Sequence, residues 1–318
     1  MSLLIVTDKI LFDIVLNLSI PFCQGLYKKS KHWFAFILLA AIWSSSFLWI
    51  KIAIQELSPI LLVALRTLLG ALVGILAIFI TRTSLPRLRS VWIALAVLGL
   101  TNIAVPFVLI SWGEQSIDSA VASILNATVP LFTFLIANIF LDDDRLTLPR
   151  VVGLIIGFGG VVILLIKDLQ PGSHNSIWGQ AAVILAAIFY AGSMVYARLK
   201  TDHVPGLVRG IMPLVSATTL TWVGTAIFEG PIHLPTLPIT WLAVIWLGVL
   251  GSGLAFILWY YLLQEVGPTR AALVTYTMPL GGVLLGVIFL KEPLSWNLAL
   301  GGLLIVISVV MVNRKAVK

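Results

Sequence analysis

The chain has 318 residues, of which 60% are hydrophobic and only 10% charged, against about 45–50% and 25% in a soluble globular domain, so it is composed for lipid rather than water. Its net charge of +7 and pI near 9.7 would suggest nucleic acid in a soluble protein. Here the cations sit in short loops between apolar runs, the topology signal of a membrane protein, which argues against a nucleic-acid partner. A single cysteine, Cys23, leaves no intrachain disulfide and no thiolate metal cluster.

Residues 1–32 form an extension. Leu3 to Phe22 is apolar on average, but Asp8, Lys9 and Asp13 interrupt it and no basic segment precedes it as a signal peptide requires. It is expected to be interfacial or disordered, the alternative being a cleaved or inserted eleventh segment. Apolar runs of bilayer-spanning length then follow at Trp33–Ala53, Ile60–Ile80, Val91–Trp112, Ser119–Leu141, Pro149–Ile166, Ile177–Ala197, Leu207–Phe228, Ile239–Leu262, Arg270–Leu290 and Trp296–Val312. They predict an all-α integral membrane protein of ten transmembrane helices. A closed β-barrel is excluded, because the runs lack a period of two and are twice too long for its strands.

With the amino terminus cytoplasmic, the inside receives most of the cations, among them Lys28, Lys29, Arg82, Arg87, Arg145, Arg150, Arg209 and Arg314. The outside receives only Lys51, Lys167 and Lys291. That asymmetry predicts both termini in the cytoplasm.

The runs repeat. Asp118–Asp143 matches Gly267–Glu292 without a gap, placing Pro130 on Pro279 and Ile139-Phe140-Leu141 on Ile288-Phe289-Leu290. The offset of 149 extends from Trp92, which falls on Trp241, to the end, and a neighbouring offset of 146 places Ile37–Trp43 on Val183–Phe189. The halves are 33–166 and 177–313. Five helices each is an odd number, so the second half enters the membrane from the opposite side, giving two inverted five-helix repeats of the kind that build secondary transporters.

Ser119, Ser123, Asn126, Pro130, Thr133 and Ala137 form a stripe of small or polar residues on the fourth helix, matched on the ninth by Pro268, Ala272, Thr275, Pro279, Gly282 and Gly286. Such stripes are a tight helix interface or, since each proline frees the carbonyl four residues before it, two bends around a midplane cavity. The other cavity candidates are Trp43, Ser46, Asn102, Asn126, Tyr190 and Tyr276, with Pro130 and Pro279 as the bends; Trp33, Trp92, Trp112, Trp178, Trp241 and Trp296 fit an interfacial belt. Arg66, about two turns into the second helix, and Lys51 form a possible charge site. Pairing with Glu56, Glu114 or Asp118 is the plainer expectation, and an anion lure the functional one.

No acid sits at the centre of a helix and no histidine pair has metal-ligand spacing, so neither a proton relay nor a metal centre is expected. Without a Walker loop or a nucleophile–base cluster, no cofactor is called for and an intramembrane enzyme is disfavoured. The run Asp142-Asp143-Asp144 fits acidic charge at the amino terminus of the fifth helix.

The passage GPTRAALVTYTMPLGGVLLGVIFLKEPLSWNLALGGLLIVISVVMV, together with AAIWSSSFLWIKIAI and Ala64–Thr67, resembles the EamA-like branch of the drug/metabolite transporter superfamily over about Trp33 to Asn313. The resemblance implies a central cavity lined by helices 1, 3, 4, 6, 8 and 9. It also implies an inner-membrane exporter or permease of amino acids or other small metabolites; translocation of nucleotide-sugar, phosphorylated or lipid-like substrates is the alternative. Glu292 matches an acidic position of that family and is expected to cap the tenth helix near Ser295. The triple Asp142–Asp144 departs from it, and the oligomeric state stays open.

Overall fold

A computed structural model describes residues 21–141, 147–166, 168, 174–267 and 271–313, with side chains from Lys31 to Val312. Among these residues there is helix but no strand. Eight helical stretches are long and apolar enough to cross a membrane: α1 (Lys31–Ala53), α2 (Pro59–Thr81), α3 (Arg89–Glu114), α4 (Ser119–Phe140), α5 (Leu148–Ile166), α6 (Ile177–Thr201), α7 (Gly206–Phe228) and α8 (Pro238–Val266). Two shorter apolar helices follow, α9 (Leu273–Phe289) and α10 (Trp296–Asn313). The backbone helix leading into α1 begins at Pro21. The aspartates Asp142–Asp144 lie outside the described residues, as do residues 1–20 of the extension.

Local chemistry fixes the helix ends. α2 starts where the Ser58 hydroxyl accepts from the amide of Leu61 at 3.2 Å with Pro59 in the first turn, and stops where Arg82 turns left-handed at φ 51°. Several spans are interrupted. The three serines of α1 divide it into Pro21–Ser44 and Ser46–Ala53, with a turn at Ser45. α4 breaks after Asn126 and resumes at Val129, so Pro130 stands at the start of its second piece, where a missing N–H costs little. α9, by contrast, carries Pro279 inside an unbroken helix. α3 widens to a π-helix at Leu100–Ala104, where Pro106 cannot donate to the Asn102 carbonyl, and α8 does so at Trp246–Leu254.

Packing follows the small residues. Residues 149 or 146 positions apart make matching contacts. A Cβ on Gly99 of α3 would meet Ser216 and the Pro213 carbonyl of α7; at the counterpart positions a Cβ on Gly70 of α2 would lie 3.2 Å from the Gly248 carbonyl of α8. The Trp92 indole donates to the Pro86 carbonyl at 3.0 Å and Trp241 to Pro235 at 2.9 Å. α5 and α10 meet through Gly160 and Gly301, where a Cβ on either would come within 2.8 Å of the other's carbonyl. Large apolar side chains such as Phe79, Leu148 and Phe228 are among the most exposed, as lipid-facing surfaces require. The six tryptophans expected to form a belt are exposed as well.

Candidate functional site

A cavity of about 400 Å³ lies between the halves, within the range of small-ligand sites. Trp43, Ser46, Asn102, Asn126, Tyr190 and Tyr276 all line it, together with Pro130, Pro279 and Arg66. The interruptions in the helices place them. Ser46 opens the second piece of α1 and donates to the Ile42 carbonyl at 3.2 Å; Asn102 sits in the π-turn of α3; Asn126 ends the first piece of α4. The Asn126 carboxamide oxygen is buried without a hydrogen-bond partner, and an unpaired acceptor in such a place costs about 1–3 kcal/mol. Trp43 pairs with Trp259 of α8 at a ring separation of 5.4 Å, and Trp259 lines the cavity too.

Arg66 is 6% exposed. Its Nε donates to the Ser252 hydroxyl in the π-turn of α8 at 3.0 Å, and its guanidinium lies 3.9 Å above the Phe107 ring. Lys51 is absent from the lining. Its ammonium donates to the carbonyl oxygens of Glu114 and Ile117 at 2.6 and 2.7 Å. Among the described residues neither cation makes a salt bridge to Glu56, Glu114 or Asp118, although Glu114 lies near enough for its charge to act on both. Carbonyls hold Lys51, a hydroxyl and a ring hold Arg66, and one oxygen of Glu114 is left without a hydrogen bond. Beside Trp259 on α8, Tyr260 packs on Gly206 and Gly210 and the Tyr261 hydroxyl meets His32 at 3.1 Å, and neither is among the residues that line the cavity.

Sequence reasoning also missed wall residues. Arg150 at the start of α5 borders the cavity with its guanidinium 4.9 Å from the Phe134 ring, and Met194 and Phe256 line it as well. Arg150 carried the signal of a loop cation; its place in the first turn of α5 was the only hint.

The cavity runs toward the end of the bundle that holds Arg150 and Val312. The opposite end is sealed by polar contacts between helices. Glu292 is held away from the tenth helix it was expected to cap. Its two oxygens accept from the Ser119 and Ala120 amides at 2.7 and 2.9 Å, capping α4 instead, because the loop after α9 ends beside the amino terminus of α4. Burial pushes the Glu292 carboxyl above the ordinary carboxylate range, opposed by those amides. Glu114 is fully buried, with one oxygen accepting from the Ser119 hydroxyl at 3.1 Å and the other unpartnered. Asp118 meets His174 at 3.1 Å and accepts from Asn175. Glu56 reaches the start of α8, accepting from the Thr236 and Thr240 hydroxyls, each at 2.5 Å, and from the Leu237 amide at 3.1 Å. Those hydroxyls hold its pKa down from 4.5 to about 2. Ser58 donates to Glu229 across the same end.

Comparison with known proteins gives the architecture a family. The chain is 31% identical to the uncharacterized inner membrane transporter YedA of Escherichia coli K12 over 88% of its own length and 89% of that protein. It is 25% identical to the uncharacterized transporter YoaV of Bacillus subtilis over 86% of this chain and 94% of that one. It also matches a protein named "probable terminal-alkyne amino-acid exporter" from Streptantibioticus cattleyicolor, at 25% identity over 91% of this chain and 95% of that one. A chain of known crystal structure, 24% identical, superimposes with a TM-score of 0.64 over 89% of this chain and 97% of its own, a likeness of fold. The model of the EamA-like transporter family matches twice, at residues 31–166 and 177–314. This chain is a multi-pass membrane protein and belongs to the EamA-like transporter family.

Proposed function

We propose that the protein is a secondary carrier of small organic metabolites, an exporter or permease of amino acids or compounds like them, working by alternating access around the central cavity. The observation that carries this reading is the cavity itself. It lies between the halves, is walled by helices interrupted at Ser45, Asn126 and the two π-turns, and reaches toward Arg150 and Val312, away from the polar contacts of Lys51, Glu56 and Glu292. Irregular backbone at membrane depth is tolerated where it borders a cavity, and carriers place such helices around a midplane site. In this reading the chain crosses the inner membrane ten times as two inverted five-helix halves, 33–166 and 177–313, with both termini cytoplasmic. The matching Gly99–Ser216 and Gly70–Gly248 contacts support that symmetry. The sealed end then faces outward and the cavity faces the cytoplasm.

Trp43, Tyr190 and Tyr276 enclose the substrate, Ser46, Asn102 and Asn126 bond its polar groups, and Pro130 and Pro279 set the bends on which the halves rock. The terminal-alkyne amino-acid exporter among its relatives is consistent with this substrate class. Translocation of nucleotide sugars or other phosphorylated substrates asks for a strongly basic cavity; Arg66 and Arg150 border this one, while Lys51 is committed to carbonyl oxygens elsewhere. Purified protein in liposomes, loaded with a panel of amino acids and central metabolites, is expected to speed the flux of at least one of them, with Asn126→Ala and Tyr276→Ala slowing it. Failure to move any panel member in either direction would remove the reading.

A further inference from the structure

We infer that the cavity takes an organic carboxylate attached to a flat apolar or aromatic body, and that Arg66 is the residue that holds the carboxylate. This rests on the carrier reading and narrows its substrate class. A guanidinium in a membrane span costs about 2.5–3.5 kcal/mol on insertion scales and is kept where it pairs or acts. Arg66 is more than nine-tenths buried and borders the cavity. Among the described residues it forms no salt bridge, and only its Nε spends a hydrogen bond, on Ser252. Within those residues the four N–H groups of its two terminal nitrogens find no acceptor. Glu114 and Tyr190 lie near enough to feel its charge, but neither accepts a hydrogen bond from it, and no aspartate or glutamate is among the residues lining the cavity.

The setting favours a planar anion. Ser252 fixes the guanidinium at one edge and Phe107 supports one face, which leaves the terminal nitrogens as a fork matched to the two oxygens of a carboxylate. Both supports come from elements packed tightly around α2. A Cβ on Gly70 would lie 2.7 Å from that of Ser252, so the π-turn of α8 and the second helix cannot drift apart without moving the fork. Beyond the fork the walls are aromatic, with the Trp43–Trp259 pair, Tyr190 and Tyr276. These suit a ring or a broad apolar group better than a sugar, whose hydroxyls would need many more polar partners. The buried, unpartnered oxygen of Asn126 is an acceptor that an α-ammonium would fill, so aromatic or apolar amino acids fall within the class.

The test compares isosteric probes on the intact protein in lipid nanodiscs and chloride-free buffer, following the intrinsic fluorescence of the cavity tryptophans. Hydrocinnamate is expected to bind at least about tenfold more tightly than hydrocinnamamide, since only the former makes charge-assisted bonds to the fork. Arg66→Gln should abolish that preference, and Arg66→Lys, which keeps the charge but loses the fork, should retain part of it. Equal binding of acid and amide by the unaltered protein overturns the inference whatever the variants do, as does an undiminished preference in Arg66→Gln. No binding of hydrocinnamate overturns it too, and benzylphosphonate binding more tightly than hydrocinnamate replaces the carboxylate with a phosphoryl group. Flux in liposomes separates the two readings. A carboxylate that binds but never crosses keeps the anchor and removes the carrier; a neutral compound that crosses while hydrocinnamate fails to bind does the reverse.

Discussion

The two ends of the bundle are built on opposite terms. At one end Lys51, Glu56, Glu114, Asp118 and Glu292 tie the ends of α1, α3, α4, α6, α8 and α9 to each other through carbonyls, amides, hydroxyls and a histidine. Around them pack buried apolar side chains such as Leu57, Ile117, Leu164 and Leu298. At the other end the described interhelical polar contacts are few, among them His32 with Tyr261 and Arg209 with Asp202, and the cavity reaches Arg150 and Val312. The stripes on α4 and α9 pass from one regime to the other. Ser123 packs on Gly282, and Gly286 on the Glu292 carboxylate and the Ala120 amide, whereas Asn126, Pro130 and Thr133 face Thr275 and Pro279 across open space. One pattern of small residues thus serves as both seam and wall, with the bends between the two uses. A carrier that alternates access has to exchange these regimes, so the sealed end must be strong enough to close and weak enough to part.

The largest effect is expected at the seam. A side chain at Gly286 would enter the space of the Glu292 carboxylate, so Gly286→Leu should both split α4 from α9 and unseat the cap on Ser119. Overpacking of this kind costs about 1–3 kcal/mol or more. A Cβ added to Gly192 on α6 would meet nothing within 4 Å, and Gly192→Leu should stay within about 0.5 kcal/mol of the parent. Thermal unfolding in detergent, followed by loss of the monodisperse peak, would compare the pair. Equal melting temperatures would mean the seam does not hold the sealed end.

A smaller effect is expected from Lys51→Met. It leaves the carbonyls of Glu114 and Ile117 without their donor, and losing hydrogen bonds to a charged group costs about 1.5–3 kcal/mol. Because those bonds exist only while this end is closed, the loss should favour opening rather than unfolding. With Cys23 replaced and Ile117→Cys introduced, an impermeant maleimide should label the variant about tenfold faster. Unchanged labelling would assign Lys51 to packing alone.

What the sequence disclosed of this comparison is instructive. Helix positions were legible because lipid demands about twenty apolar residues per crossing, and the observed spans begin and end within a few residues of the expected ones. Cavity residues were legible where a polar group or proline broke an apolar run, as at Ser46, Asn102 and Asn126. Arg150 was not, because a cation in the first turn of a helix looks the same whether it faces a loop or a cavity. The hydrogen-bond partners of Lys51 and Glu292 were missed for a related reason. The positions of the two residues were evident, but the partners lie 63 and 173 residues away, and a side chain's direction is decided by the fold it reaches across. The triple serine of α1 announced polarity without revealing that Ser45 would break the helix and accept from the Trp246 indole at 3.0 Å.

The mildest way to test the sealed end is acid. Glu56 bridges the α1–α2 loop to the start of α8, and its carboxyl is held at about 2 against an ordinary 4.5. A depressed pKa means the folded form prefers the ionised carboxylate. Its contribution is therefore complete above pH 4.5 and is lost as pH falls toward 2. Protonation also removes an acceptor from the Thr236 and Leu237 amides, which stand at the positively polarised amino terminus of α8. The clamp is solvent-accessible, so the effect should be small and screened by salt. Glu56→Gln should lower the melting temperature slightly at neutral pH and flatten its fall between pH 4.5 and 2. A variant that melts as the parent does at every pH would show that the capped start of α8 is held by Pro238 and its apolar packing, and that the sealed end depends on Lys51 and Glu292 instead.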